Sequence, residues 1–184
     1  MKRVIALGGL LGIALALGQT LAAESLESGP QVGQDIPGPF KPLNITGEFA
    51  GKKECQVCRN GTNPVAMIFA REISTPLKAL VRKMDAATGK NSDKKMGSFV
   101  VFCSNEEGLE KNLKDLAARE KLENIVLTID APAGPPKYKV AKDADVTVVL
   151  YVNALVKSNY AFRKGELKDQ DIDKILGDLP KILK

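Results

Sequence analysis

Four short apolar runs set the frame for this chain. Val65–Ala70 (VAMIFA), 98–103 (SFVVFC) and 147–152 (TVVLYV) are apolar almost throughout, and 124–130 (NIVLTID) is mostly so. A continuous apolar run of about six residues reads as a strand buried on both faces. Helical patterns separate the first three runs. Thr75-Pro76 offers an N-cap followed by Pro at the first helical position, and Leu77, Leu80, Val81 and Met84 then share one face. Ser104 and Glu107 have the spacing of a capping box, ahead of Leu109, Leu113, Leu116 and Ala117. Leu155–Phe162 makes a fifth strand, and the two residues Asn153-Ala154 before it suit an antiparallel hairpin. Ile172, Ile175, Leu176 and Leu179 form the apolar face of a last helix. The predicted order is β-α-β-α-β-loop-β-β-α. It implies an α/β chain with a parallel-dominated sheet, covered on both faces and closed by an antiparallel edge.

The N-terminus reads differently. Lys2 and Arg3 precede an apolar run from Val4 to about Leu17, and Leu21-Ala22-Ala23 offers a small-residue cleavage site before Glu24. That is the pattern of a secretory signal peptide over 1–23. As a membrane anchor the run is short of the ~20 residues a span needs, and Gly8, Gly9 and Gly12 break it. The expectation is a periplasmic or secreted protein with no stable membrane anchor after cleavage. Residues 24–40 read as an extended lead-in and 41–184 as one domain. Removing 1–23 takes away Lys2 and Arg3 and no acid, so the net charge falls from +5 to +3. Lys and Glu are interleaved rather than clustered, which gives no stripe for nucleic acid.

The element order, closed by β-β-α, resembles the thioredoxin-like superfamily. More narrowly it resembles the peroxiredoxin and periplasmic thiol-disulfide (redoxin-like) branch, which carries an extra helix-strand insertion. Val32-Gly33, then Ile36-Pro37-Gly38-Pro39-Phe40, is similar to that branch's opening. Gly47 and Gly51 are similar to its turn before the first core strand, and Tyr138-Lys139-Val140 to its passage into the fourth. The resemblance covers roughly 30–180. It implies a thioredoxin-like fold, a central mixed sheet flanked by helices with that insertion. The family's nucleophilic Cys stands where the first core strand turns into a helix. Here that turn, 71–76 (REISTP), holds no Cys, and Val146 stands where the family has its cis-Pro. An ordinary trans peptide is expected there, and a peroxidase centre at the usual place is not expected.

The chain has three Cys and no His. Lack of His removes Ser-His-Asp and Cys-His catalysis and every His-ligated metal site. Cys55-Gln56-Val57-Cys58 lies ahead of the first core strand, and behind a signal peptide such a pair is expected oxidised. Cys103 ends the second strand, at the opposite end of a parallel sheet, so a shared metal site is not expected despite the zinc-knuckle look of Cys58-Arg59-Asn60-Gly61. Cys103 itself reads as a small core residue. Cys55 and Cys58 then allow two functions. They are the catalytic residues of a displaced redox centre exchanging disulfides with a protein thiol partner, with Lys52, Lys53 and Arg59 favouring a thiolate and Glu54 opposing. Or they are a structural clip in a catalytically inactive binding module. Neither function calls for a cofactor. Two triplets, 44–46 and 60–62, fit the glycosylation sequon.

Overall fold

The computed structural model describes residues 26–183. The leader read over 1–23 lies outside the described residues. The elements are β1 (Leu43–Asn44), α1 (Gln56–Asn60), β2 (Val65–Ala70), α2 (Thr75–Lys90), β3 (Gly97–Cys103), α3 (Leu109–Glu120), β4 (Ile125–Asp130), β5 (Val146–Val152), β6 (Leu155–Phe162) and α4 (Asp169–Gly177). They build one six-stranded sheet in the order β1-β4-β3-β2-β5-β6.

The sheet is mixed rather than parallel-dominated. Only β2–β3 and β3–β4 are parallel; β1–β4, β2–β5 and β5–β6 are antiparallel. The reason lies in the segment before β5. Residues 131–145 contain no crossover helix, so the chain stays at the end of the sheet where β4 finished and β5 runs back beside β2. Asn153 and Ala154 both have positive φ, 53° and 62°, as the two-residue hairpin into β6 requires.

Side-chain alternation sorts the core into two layers. Ala66, Ile68 and Ala70 of β2 face the layer that holds Leu77, Leu80 and Met84 of α2, Leu113 of α3 and Ile172 of α4. Val65, Met67 and Phe69 face the other layer, with Ile36, Tyr138 and Val140. The three long helices therefore share one face. Stepping from β2 to β3 to β4 in a single direction by right-handed crossovers puts both connecting helices on the same side. Extended segments cover the other face. The lead-in belongs to that cover: buried Ser28 bonds Thr147 Oγ1 at 2.7 Å, and Gly33 and Gln34 exchange backbone hydrogen bonds with Val156.

Two helix starts differ from the sequence reading. Ser74, not Thr75, caps α2, accepting from the Leu77 N–H. The Ser104–Glu107 capping box does not form. Ser104 Oγ accepts from the Glu106 N–H in a local turn, and α3 starts after Gly108 at φ 78°. A short side-chain-to-backbone turn competed with the cap and won.

α4 is tied to β6 through Asp178. Its Oδ2 accepts from Ser158 and Tyr160 at 2.6 Å and from Lys181 at 2.7 Å. Partial desolvation opposes ionisation, but those three donors outweigh it and hold the carboxyl at about 2. A depressed carboxyl stabilises the fold above its unfolded pKa and stops doing so as pH falls through the folded value. Stability should therefore drop between pH 4 and 2 with a component that Asp178→Asn removes. Urea midpoints of the two proteins across that window check this; parallel pH profiles would disprove it.

Candidate functional site

The Cys55–Cys58 pair sits on a loop held from inside by an amide. Asn44 is fully buried, and its Nδ2 donates to the carbonyls of Pro42, Lys52 and Glu54 at 3.0–3.3 Å. Its Oδ1 accepts from Gln56 Nε2. The chain turns out and back between Gly47 and Gly51, at φ 78° and 80°, a conformation open to glycine at no steric cost. Asn44 closes the neck of that turn. Both atoms of that side-chain amide are thus engaged within the loop in the folded protein.

Cys55 caps α1: its Sγ accepts from the Cys58 N–H at 3.1 Å, and the Glu54 carboxylate accepts from the Cys55 N–H at the same distance. Cys55 and Cys58 are joined as a disulfide, with Cα atoms 5.3 Å apart. The two sulfurs stand in different surroundings. Cys55 is 1% exposed, whereas Cys58 faces solvent. Arg59 beside it is pinned, its guanidinium 2.7 Å from Glu48 and stacked 4.1 Å over the Phe49 ring. Lys52 and Lys53 are exposed, and neither makes an ion pair among the described residues.

α1 lies at the end of the sheet where β2 and β3 begin. Asn60 packs onto Gly97, the first residue of β3, so tightly that a Cβ there would meet Asn60 Oδ1. Cys103 closes β3 at the other end, about 20 Å away along the strand. The structure thus brings Cys55 and Cys58 together and leaves Cys103 apart. Among the described residues no cluster of three or more metal-ligating side chains forms.

The opposite end holds the turn between β2 and α2. Ser74 is used as a cap. Arg71 fills the ground beside it: its guanidinium donates to the carbonyls of Pro132, Ala141 and Ala144 at 2.8–2.9 Å, tying the segment before β5 across the turn. The peptide before Val146 is trans, as every peptide among the described residues is. Cys103 stands near this end, 2% exposed, with Gly134 packed so close that a Cβ there would lie 3.4 Å from its sulfur. Burial pushes its thiol up to about 12, against the opposing influence of Arg71.

No protein-family model matches the sequence. No curated protein is similar to it either. Solved structures are. A 2-Cys peroxiredoxin from Plasmodium vivax superposes with a TM-score of 0.60 at 17% identity, over 82% of this chain and 81% of that one. A thiol peroxidase from Chromobacterium violaceum gives 0.58 at 11%, over 83% and 88%. A secreted disulfide oxidoreductase from Mycobacterium tuberculosis gives 0.53 at 11%, over 77% and 95%. At such identities the likeness establishes architecture: the chain has the thioredoxin-like fold, in the elaborated form seen in peroxiredoxins and DsbE-like proteins. It carries a CxxC disulfide at the end of the sheet away from the β2–α2 turn.

Proposed function

We propose that this is an extracytoplasmic thiol–disulfide exchange protein working through Cys58 and Cys55. The observation that carries it is the unequal exposure of the pair. An incoming thiolate can reach Cys58 Sγ. Its attack forms a mixed disulfide on Cys58, breaks the Cys55–Cys58 bond and releases Cys55 as thiolate, beside the Cys58 N–H that already points at its sulfur. A second thiol on the partner then attacks the partner's own sulfur and releases Cys58. The partner leaves as a disulfide and the protein as a dithiol. In this fold family the first Cys of such a pair is usually the attacking one; here the exposed member is the second. The N-terminal leader pattern and the oxidised pair support a periplasmic or secreted setting.

The binding-module reading keeps one specific observation in its favour. The turn 71–76 has no Cys, and Arg71 ties a loop across it. The reduction potential separates the two. Equilibration against glutathione buffers should place the pair between about −270 and −120 mV, the range of exchange proteins. Cys55→Ser should accumulate a mixed disulfide at Cys58, and Cys58→Ser should be inert. A potential below about −300 mV would mark a clip instead. Loss of so short a loop should then cost about 2 kcal/mol of stability in the doubly substituted protein.

A further inference from the structure

We infer that the exposed face around Cys58 selects a protein partner whose reacting cysteines are flanked by acidic residues; this rests on the exchange reading above. The charges on this loop, Glu48, Lys52, Lys53, Glu54 and Arg59, do not weigh equally. Glu54 is turned inward, its carboxylate accepting from the Cys55 N–H. Glu48 is spent on Arg59 at 2.7 Å. Both nearby acids are thus engaged, one by a backbone donor and one by a guanidinium. Lys52 and Lys53 remain, exposed and without an ion pair among the described residues. They sit on a backbone that is not free to move away: the Lys52 carbonyl accepts from buried Asn44, and Lys53 bridges to Leu43. The charges on this Asn44-held loop that no acid or backbone donor engages are therefore the two cations, carried on an anchored backbone.

Arg59 adds a second element. Its guanidinium stands 4.1 Å over the Phe49 ring, on the residue next in sequence to Cys58, and its partner Glu48 is itself well exposed. A carboxylate on the incoming chain can compete with Glu48 for that planar donor set without unstacking it. Unpaired cations on the loop that carries the reacting pair also favour the arriving thiolate itself, so a partner carrying acids near its Cys gains twice.

The test uses the full oxidised protein and three dithiol peptides of equal length, each with one Cys-x-x-Cys core flanked by Glu, by Gln or by Lys. Rates of disulfide transfer are divided by each peptide's rate with oxidised 2-mercaptoethanol, which removes differences in thiol acidity. At low ionic strength the Glu peptide should react about ten-fold faster than the Lys peptide, with Gln between, and the gap should close to under about two-fold near 0.5 M salt. The doubly charge-reversed Lys52→Glu/Lys53→Glu protein, shown folded by its far-UV spectrum and melting curve, should invert the order. Equal normalised rates for all three peptides would overturn the acidic partner and leave the exchange reading standing. Retention of the original order after charge reversal would overturn the assignment to Lys52 and Lys53. Failure of every peptide to reduce the pair would overturn both the partner and the exchange reading.

Discussion

Asp85→Ala should lower the unfolding free energy by about 3 kcal/mol, a large fraction of what a domain of this size has. Asp85 is 8% exposed on the inner side of α2. Its Oδ1 accepts from the backbone N–H groups of Glu123, Asn124 and Ile125 at 2.7–3.0 Å, and its Oδ2 from the Asn124 side chain at 3.2 Å. One carboxylate thus holds the entry into β4. Bonds to a charged acceptor contribute about 1.5–3 kcal/mol each, and a buried donor left without a partner costs about 1–3. Glu123 and Asn124 are exposed and their N–H groups can turn to water, while buried Ile125 cannot. That places the total nearer one strong interaction than three. Asp85→Asn keeps an acceptor for the backbone but sets a second amide donor against Asn124, so it should fall between. Urea unfolding gives the numbers, and amide exchange at 123–125 shows whether the loss is local. A cost under about 1 kcal/mol for the Ala variant would contradict the arrangement.

Cys103 should be close to inert in the folded protein. With its thiol held at about 12 by burial, its thiolate fraction at pH 8 is roughly a thousandth of that of an ordinary thiol. Gly134 also packs against the sulfur. Alkylation by iodoacetamide at pH 8 should be at least about 10³-fold slower in the native protein than in urea. After mild reduction Cys58 should label first. The Cys55→Ser/Cys58→Ser protein, which keeps Cys103 as its sole thiol, should consume peroxide no faster than buffer. Rapid native labelling of Cys103, or turnover in that variant, would move the reactive centre to the end of the sheet where β3 finishes.

Much of the fold was legible because its signals are local. The apolar runs at 65–70, 98–103 and 147–152 could only be strands buried on both faces, and the structure leaves no β2 residue above 1% exposure. Asn153-Ala154 fixed the hairpin by its length. Asp85 was visible too, in principle: it stands four residues after Val81, on the apolar stripe of α2, where a carboxylate needs a reason to be. Asn44 was not. In the sequence it is one Asn in a polar stretch and the start of a sequon; its burial depends on Pro42, Lys52, Glu54 and Gln56 arriving around it. Helix starts were read one residue or one turn away, since Ser74 and Thr75, or Ser104 and Gly108, compete for the same few N–H groups.

By itself the sequence determined the order of the elements from β2 to α4 but not β1 or α1 ahead of them, the Cys-free turn at 71–76 and the presence of a CxxC pair ahead of the first core strand, because each of these is a matter of residue type and short-range period. Only the tertiary structure decided that the three long helices share one face. It alone set Cys58 at the surface and Cys55 beneath it. Those outcomes depend on which chain end returns beside β2, and on a buried amide closing a loop between residues eight and ten positions apart. Burial and exposure of a single sulfur are properties of what packs around it, which no local pattern carries.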